Sequence, residues 1–258
     1  KGLKGVDIRH AKVSEIIADE NKINLVAYGG SQETISYDAL VISSGTRNGF
    51  WRTGHFENND DIQRNLAEKS KAILSAASVA IIGGGPTAVS VASNIKEMRP
   101  EAAVHLFFSQ EMPLPTYHPR TRRKVEKFLK NQEVILHPLH RADVPEDLDV
   151  EVFSRNPISW STGQSPFDAD LTLWAIGKLT PNNEFIPADM LTNDGFVKSD
   201  SFLRVPGHDN VFTVGDIAKT DDNRSSARNA GHLVLAHNVQ ACLDGSSEKM
   251  KPFKPPRY

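Results

Sequence analysis

The sequence predicts an α/β fold with a parallel, doubly wound sheet, accompanied by a separate antiparallel meander. Three observations predict it. Strand-like and helix-like segments alternate from Ser78 to Leu136, a rhythm that belongs to parallel sheets. A glycine triplet, Gly83-Gly84-Gly85, joins an apolar strand to a helix. Between Ala11 and Ser36, apolar and polar residues alternate with period two around a Gly29-Gly30 turn signal.

Taken in order, Val6-Asp7-Ile8-Arg9, Ala11 to Ala18, Lys22 to Tyr28 and Thr34-Ile35-Ser36 read as strands of the meander. Tyr37 to Thr46 reads as one short buried strand closing in a tight turn at Gly45. Asp60 to Ala76 turns helical, with Ile62, Leu66, Ile73 and Leu74 set among charges. A strand over Ser78–Ile82, a helix over Pro86–Met98, a strand over Ala103–Phe108, a helix over Arg120–Lys130 and a strand over Glu133–Leu136 follow. Further strands are expected at Asp149–Phe153, Ile158–Trp160, Leu171–Ile176 and Val211–Val214, and a last helix over Arg224–Leu243.

Composition narrows the classes. The 258 residues carry a net charge of -2, so the chain as a whole does not attract nucleic acid. Hydrophobic residues at 39% and charged residues at 24% suit a packed globular protein rather than a disordered one. One cysteine, Cys242, allows neither an internal disulfide nor a cysteine-based zinc cluster. Apolar runs such as Leu106-Phe107-Phe108 fall far short of the ~20 residues that span a bilayer. No signal peptide is visible, and these features favour a cytoplasmic setting, with peripheral attachment to a membrane left open.

The sharpest chemical signal is Val79 to Ala88. Gly83, Gly85 and Ala88 occupy the G-x-G-x-x-A positions, with Gly84, Pro86 and Thr87 between them. The first glycine permits the tight turn, the second lets backbone approach a pyrophosphate, and the alanine lets the helix lie close to the strand. The helix N-terminus then offers unpaired N–H groups and the positive end of its dipole to phosphate. The competing reading is a glycine-rich turn in some other α/β fold. An NAD site often has a carboxylate at the end of the next strand, for the ribose 2′-hydroxyl. Here that strand ends in Ser109-Gln110, with Glu111 beyond it. Arg120, Arg122, Arg123 and Lys124 follow, as 2′-phosphate ligands or as a solvated helix face, so NADH and NADPH both stay open.

Several residues read most simply as packing. His105 sits in an apolar strand, and Trp51, Trp160 and Trp174 read as core or edge packing. His232 and His237 stand five apart with no carboxylate at ligand spacing, so no metal is expected. Ser43-Ser44-Gly45 does not match a nucleophile elbow.

Further signals stand in fixed order around the fingerprint. Tyr37 to Thr46 precedes it; Leu173 to Asn182, containing Gly177, and the strand end Val214-Gly215-Asp216 follow it. With Lys71-Ala72-Ile73, Leu106 to Gln110 and Val205 to Val211, they make the chain similar to the two-dinucleotide-binding-domain flavoproteins. These form the pyridine nucleotide–disulfide oxidoreductase superfamily, and the nearest resemblance is to its apoptosis-inducing-factor-like and ferroptosis-suppressor-like branch.

The resemblance implies a Rossmann-like NAD(P)-binding domain inserted into an incomplete FAD-binding domain that carries the meander. The implied boundaries are 1–50 and 179–258 for the FAD portion and 51–178 for the NAD(P) domain. It implies that the fingerprint lines the NAD(P) pyrophosphate and that Gly177 presents backbone near the nicotinamide. Gly215 and Asp216, with the Gly45 turn, would contact FAD, and the helix after Gly231 would face the flavin pyrimidine. Asn229 and Ala230 stand where type II NADH dehydrogenases place two glutamines, which disfavours a quinone site of that design. The implied activity is hydride transfer from NAD(P)H to FAD, then electron transfer to a quinone or a redox protein, with no catalytic side chain required. Family members carry a first FAD-binding unit ahead of the position of Lys1. The expectation is therefore a fragment that holds FAD poorly, is inactive alone and exposes an apolar remnant able to form homo-oligomers. The alternative function is a non-catalytic NAD(P)H-binding redox sensor.

Overall fold

The computed structural model describes residues 5–47, 56–146, 148, 153–176, 180–222, 224–227 and 230–255. Two compact units make up the chain: Lys1–Arg47 with Leu179–Arg257, and Asn48–Lys178.

In the first unit, β1 (Ala11–Ile17), β2 (Lys22–Ala27) and β3 (Gln32–Ser36) form an antiparallel meander in that order. Its inward side chains, Ile16 and Leu25, are buried. The expected strand at Val6–Arg9 does not form, and Val6 and Ile8 are exposed. Among the described residues no strand pairs with it, so that alternation has no face to bury. The stretch from Tyr37 to Thr46 is not one strand either. It divides into β4 (Leu40–Ile42) and β5 (Thr46–Arg47), because Gly45 at φ +69° breaks the extension.

The second unit begins with α1 (Asn59–Ser75), followed by β6 (Ser78–Ile82), α2 (Pro86–Met98), β7 (Ala103–Phe107), α3 (Pro119–Asn131), β8 (Ile135–His137) and β9 (Leu171–Trp174). The four strands are parallel in the order β8-β7-β6-β9. Chain direction sets the layers. From β6 to β8 the strands advance one way, so right-handed crossovers place α2 and α3 on one face. Ile73 of α1, Ala88, Ala92 and Ile95 of α2 and Leu129 of α3 share a core there with Val79, Ile81, Val104 and Leu106.

The return from β8 to β9 runs the opposite way and covers the other face. Ile158, Trp160, Phe167 and Ala169 pack there on Ala80, Ile82, Phe107 and Trp174. The doubly wound expectation is thus corrected: among the described residues, helices cover one face, and Ile158, Trp160, Phe167 and Ala169, which lie outside any helix, cover the other. Ile158–Trp160 contributes isolated bridges, Ile158 to Phe167 and Ala142 to Trp160, rather than a strand. The strand expected at Asp149–Phe153 lies outside the described residues, apart from Phe153.

The chain then returns to the first unit with β10 (Thr180–Pro181), β11 (Val211–Thr213) and α4 (Gly231–Leu243). β10 pairs antiparallel with β5, and β11 pairs parallel with β4. Ile16, Ile42, Met190, Val197, Val205, Val211 and Ile217 form this unit's core. The last helix starts at Gly231 rather than Arg224, because a single 3-10 turn occupies Ser225–Ala227 and Ala230 adopts φ +63°.

Candidate functional site

The second unit's sheet has a switch point between β6 and β9, where strand order reverses. Ligands of open α/β sheets bind at the carboxyl ends of strands at such a point. The fingerprint turn lies there, and each glycine in it has a different reason. Gly83 follows β6 at φ +141°, and its N–H donates to the Phe107 carbonyl at 2.9 Å. A Cβ on it would stand 2.4 Å from the Ala175 carbonyl oxygen beyond β9, so only glycine fits. A Cβ on Gly84 would press on Phe108 at 3.0 Å, and its carbonyl accepts the Leu114 N–H at 2.7 Å. Gly85 differs: its φ is −84°, open to any residue, and a Cβ there would meet nothing within 4 Å. Among the described residues, nothing requires glycine at 85. Space beside its backbone does, if a group from outside occupies it.

Helix α2 begins at this space. Gly85 is its N-cap and supplies no side-chain cap, Pro86 fills the first turn and no acidic residue lies there. Helix α1, by contrast, is capped by Asn58 with Asp60 and Asp61 in its first turn, and α3 is capped by the His118 imidazole. The α2 N-terminus is therefore positive and open, the setting for a phosphate. Ala88 is fully buried in the core shared by α2 and the sheet. At the end of β7, Ser109, Gln110 and Glu111 are exposed, as are Arg120, Arg123 and Lys124. The Arg122 guanidinium instead donates to the Pro113 and Met112 carbonyls at 3.0 and 2.8 Å.

In the first unit, Gly45, Gly215 and Asp216 occupy two turns. Ser44 Oγ donates to the Asn182 carbonyl at 2.7 Å, and Asn182 Nδ2 returns a bond to the Ser44 carbonyl at 2.8 Å, which locks the Gly45 turn. Gly215 stands at φ +84° and opens the short 3-10 turn that carries Asp216, whose side chain is exposed. Sequence reasoning missed Ser226, which is buried completely. Its hydroxyl accepts the buried Gly215 N–H at 2.9 Å, and a Cβ on Gly231 would stand 1.9 Å from its carbonyl oxygen. Ser226 thus ties the Gly215-Asp216 turn to the start of α4. That helix also begins without a side-chain cap or an acid in its first turn. The serine's only sequence signal is its place five residues before Gly231. Gly177, Asn229 and Trp51 lie outside the described residues.

With this geometry in view, the family model described as "Pyridine nucleotide-disulphide oxidoreductase" matches residues 2–238. The chain belongs to this family.

Among curated relatives, the chain is 26% identical over 231 residues to ferroptosis suppressor protein 1 of Xenopus tropicalis, covering 87% of this chain and 61% of that protein. Its fold is similar to that of a ferredoxin reductase from Rhodopseudomonas palustris, at TM-score 0.66 and 18% identity over 95% of this chain and 59% of that one. It is also similar to the water-forming NADH oxidase of Lactobacillus brevis bound to NADH, at TM-score 0.59 and 17% identity over 95% and 53% of the two chains. The chain spans 60–61% of the length of the first curated relatives it matches.

The second unit's sheet also carries a histidine and aromatic cluster. His105 Nδ1 and His137 Nε2 lie 2.9 Å apart, so the pair shares one proton. Phe107 stacks on His137 at 4.1 Å, and Phe167 leans on both histidines. Burial, then the charges of His105 and His140, push His137 down to about 4, and burial lowers His105 as well. These rings are neutral packing elements at neutral pH. Trp160 and Trp174 are buried, with Trp174 Nε1 donating to Ser154 Oγ at 3.3 Å. His237 Nε2 lies 2.9 Å from the Lys249 carbonyl oxygen, in hydrogen-bond contact with it. Among the described residues, no group of three or more His, Cys, Asp or Glu is placed to hold a metal, and no helix is long and apolar enough to cross a membrane.

Proposed function

We propose that the chain binds a nicotinamide dinucleotide at Gly83–Ala88 and works within an FAD-dependent NAD(P)H oxidoreductase. The observation that carries this is the open space beside Gly85 at the uncapped start of α2. A pyrophosphate placed there would accept N–H groups of the first turn and neutralise the helix's positive end. Gly83 and Gly84 shape the turn by packing, while Gly85 leaves room for the ligand. Ser109 carries no charge, so the site does not repel the 2′-phosphate of NADPH, and both nucleotides are accepted.

FAD belongs with the Gly45 and Gly215-Asp216 turns and the open start of α4, where Gly231 and Ser226 bring backbone close. A bound flavin supplies the two-electron acceptor for the nicotinamide hydride and relays electrons to a quinone or a redox protein. The residues' task is to hold and orient: Gly215 gives close approach, and Asp216 offers an exposed carboxylate as acceptor for a ligand hydroxyl. The chain's single thiol, Cys242, suits a reducing, cytoplasmic or membrane-peripheral location. Adding NADH anaerobically to the full-length protein tests this reading. Bleaching of the visible flavin band supports it, and a protein with no flavin, or one unchanged by NADH and NADPH, contradicts it.

A further inference from the structure

The basic residues that open α3 do not act alike. Arg120, Arg123 and Lys124 are exposed, whereas Arg122 turns back on the preceding loop. Its Nε donates to the Pro113 carbonyl at 3.0 Å and its Nη2 to the Met112 carbonyl at 2.8 Å. The planar guanidinium reaches two successive carbonyls at once, which the single ammonium of lysine does not match. The loop it holds is under strain. Leu114, buried, sits at φ +57°, a conformation that a leucine keeps only where its surroundings enforce it. In that conformation the Leu114 N–H points at the fingerprint and donates to the Gly84 carbonyl at 2.7 Å.

The Gly84–Gly85 peptide is trans, so its C=O and N–H point in opposite directions. Fixing the Gly84 carbonyl toward Leu114 therefore aims the Gly85 N–H the other way. Among the described residues that N–H has no acceptor.

We propose that Arg122 is a positioning residue for the nicotinamide nucleotide: it holds Met112–Leu114 so that Leu114 anchors the Gly84 carbonyl and the Gly85 N–H faces the pyrophosphate. This rests on the nucleotide reading above and deepens it. It also separates Arg122 from the 2′-phosphate ligands that its place in the basic run suggests.

The test titrates NADH and NADPH into the wild-type chain, Arg122→Met and Arg122→Lys, with melting curves and amide exchange of segments 83–86 and 109–118 alongside. Methionine keeps the aliphatic stem and removes the donors. The expected result is about a tenfold weaker affinity for both nucleotides in Arg122→Met, about 1.4 kcal/mol. Their ratio stays unchanged, and exchange rises in both segments. Arg122→Lys loses less, and it carries the test if the methionine variant does not fold. Loss confined to NADPH would make Arg122 a phosphate ligand and overturn the proposal. Unchanged affinity in both folded variants, or unchanged exchange at 83–86, would also overturn it. A wild-type chain that binds neither nucleotide fails the site reading itself, and this inference with it.

Discussion

Gly83 and the carbonyl of Ala175 lie so close across the carboxyl ends of β6 and β9 that a Cβ on the glycine would stand 2.4 Å from that oxygen. The contact closes the floor of the switch point, and the turn above it depends on φ +141°. Gly83→Ala meets both penalties together. The expected outcome is a loss of on the order of 2 kcal/mol or more in unfolding free energy, read by denaturant titration. Unchanged stability would mean that the turn has another conformation.

Ser226→Ala should destabilise the first unit by about 1–3 kcal/mol, because the buried Gly215 N–H loses its acceptor. Tryptophan fluorescence does not report it, since the described tryptophans belong to the other unit, so circular dichroism during urea unfolding is the measurement. Equal midpoints and slopes for variant and wild type would remove Ser226 from its linking role.

Acid should weaken the second unit through His137. Its pKa of about 4 in the folded chain lies below the ordinary 6.5, so protons bind the unfolded chain more tightly. The stabilisation is complete above pH 6.5 and is lost as pH falls from there toward 4. The expected loss is about 2 kcal/mol, less than the shift's full worth because the ring is partly exposed. Melting of wild type and His137→Gln between pH 7.5 and 4.5 checks it: the variant's profile should be the flatter. Parallel profiles would show that another group governs acid sensitivity.

The parts legible in sequence were those fixed by local chemistry. Helix α2 has the bounds read for it, Pro86–Met98, because a proline suits a first turn and a strand leads straight into the glycines. The bounds of β6 likewise match. What escaped was decided by distant neighbours. Val6–Arg9 alternates but pairs with no strand among the described residues, and the start of α4 moves to Gly231 because Ala230 takes a left-handed conformation. Within the site, the triplet was visible, but the separate reasons for its three glycines were not. Those depend on Ala175, Phe108 and empty space. Leu114 left no trace in spacing, since a leucine at positive φ contradicts its own propensity. Arg122 stood out only as one of a basic run, its hold on the Met112 and Pro113 carbonyls being visible only in the tertiary contacts.

The most direct measurement is calorimetric titration of NADH into the wild-type chain and into Gly85→Val. Gly85 has φ −84° and ψ 176°, extended values that valine adopts readily and that suit a residue before proline. Its new side chain would enter open space, so the melting temperature should not change. The account predicts a wild-type chain that binds NADH and a folded variant whose affinity falls at least ~100-fold, about 2.8 kcal/mol. Equal binding by both chains would contradict it, because the pyrophosphate would then lie somewhere other than beside Gly85.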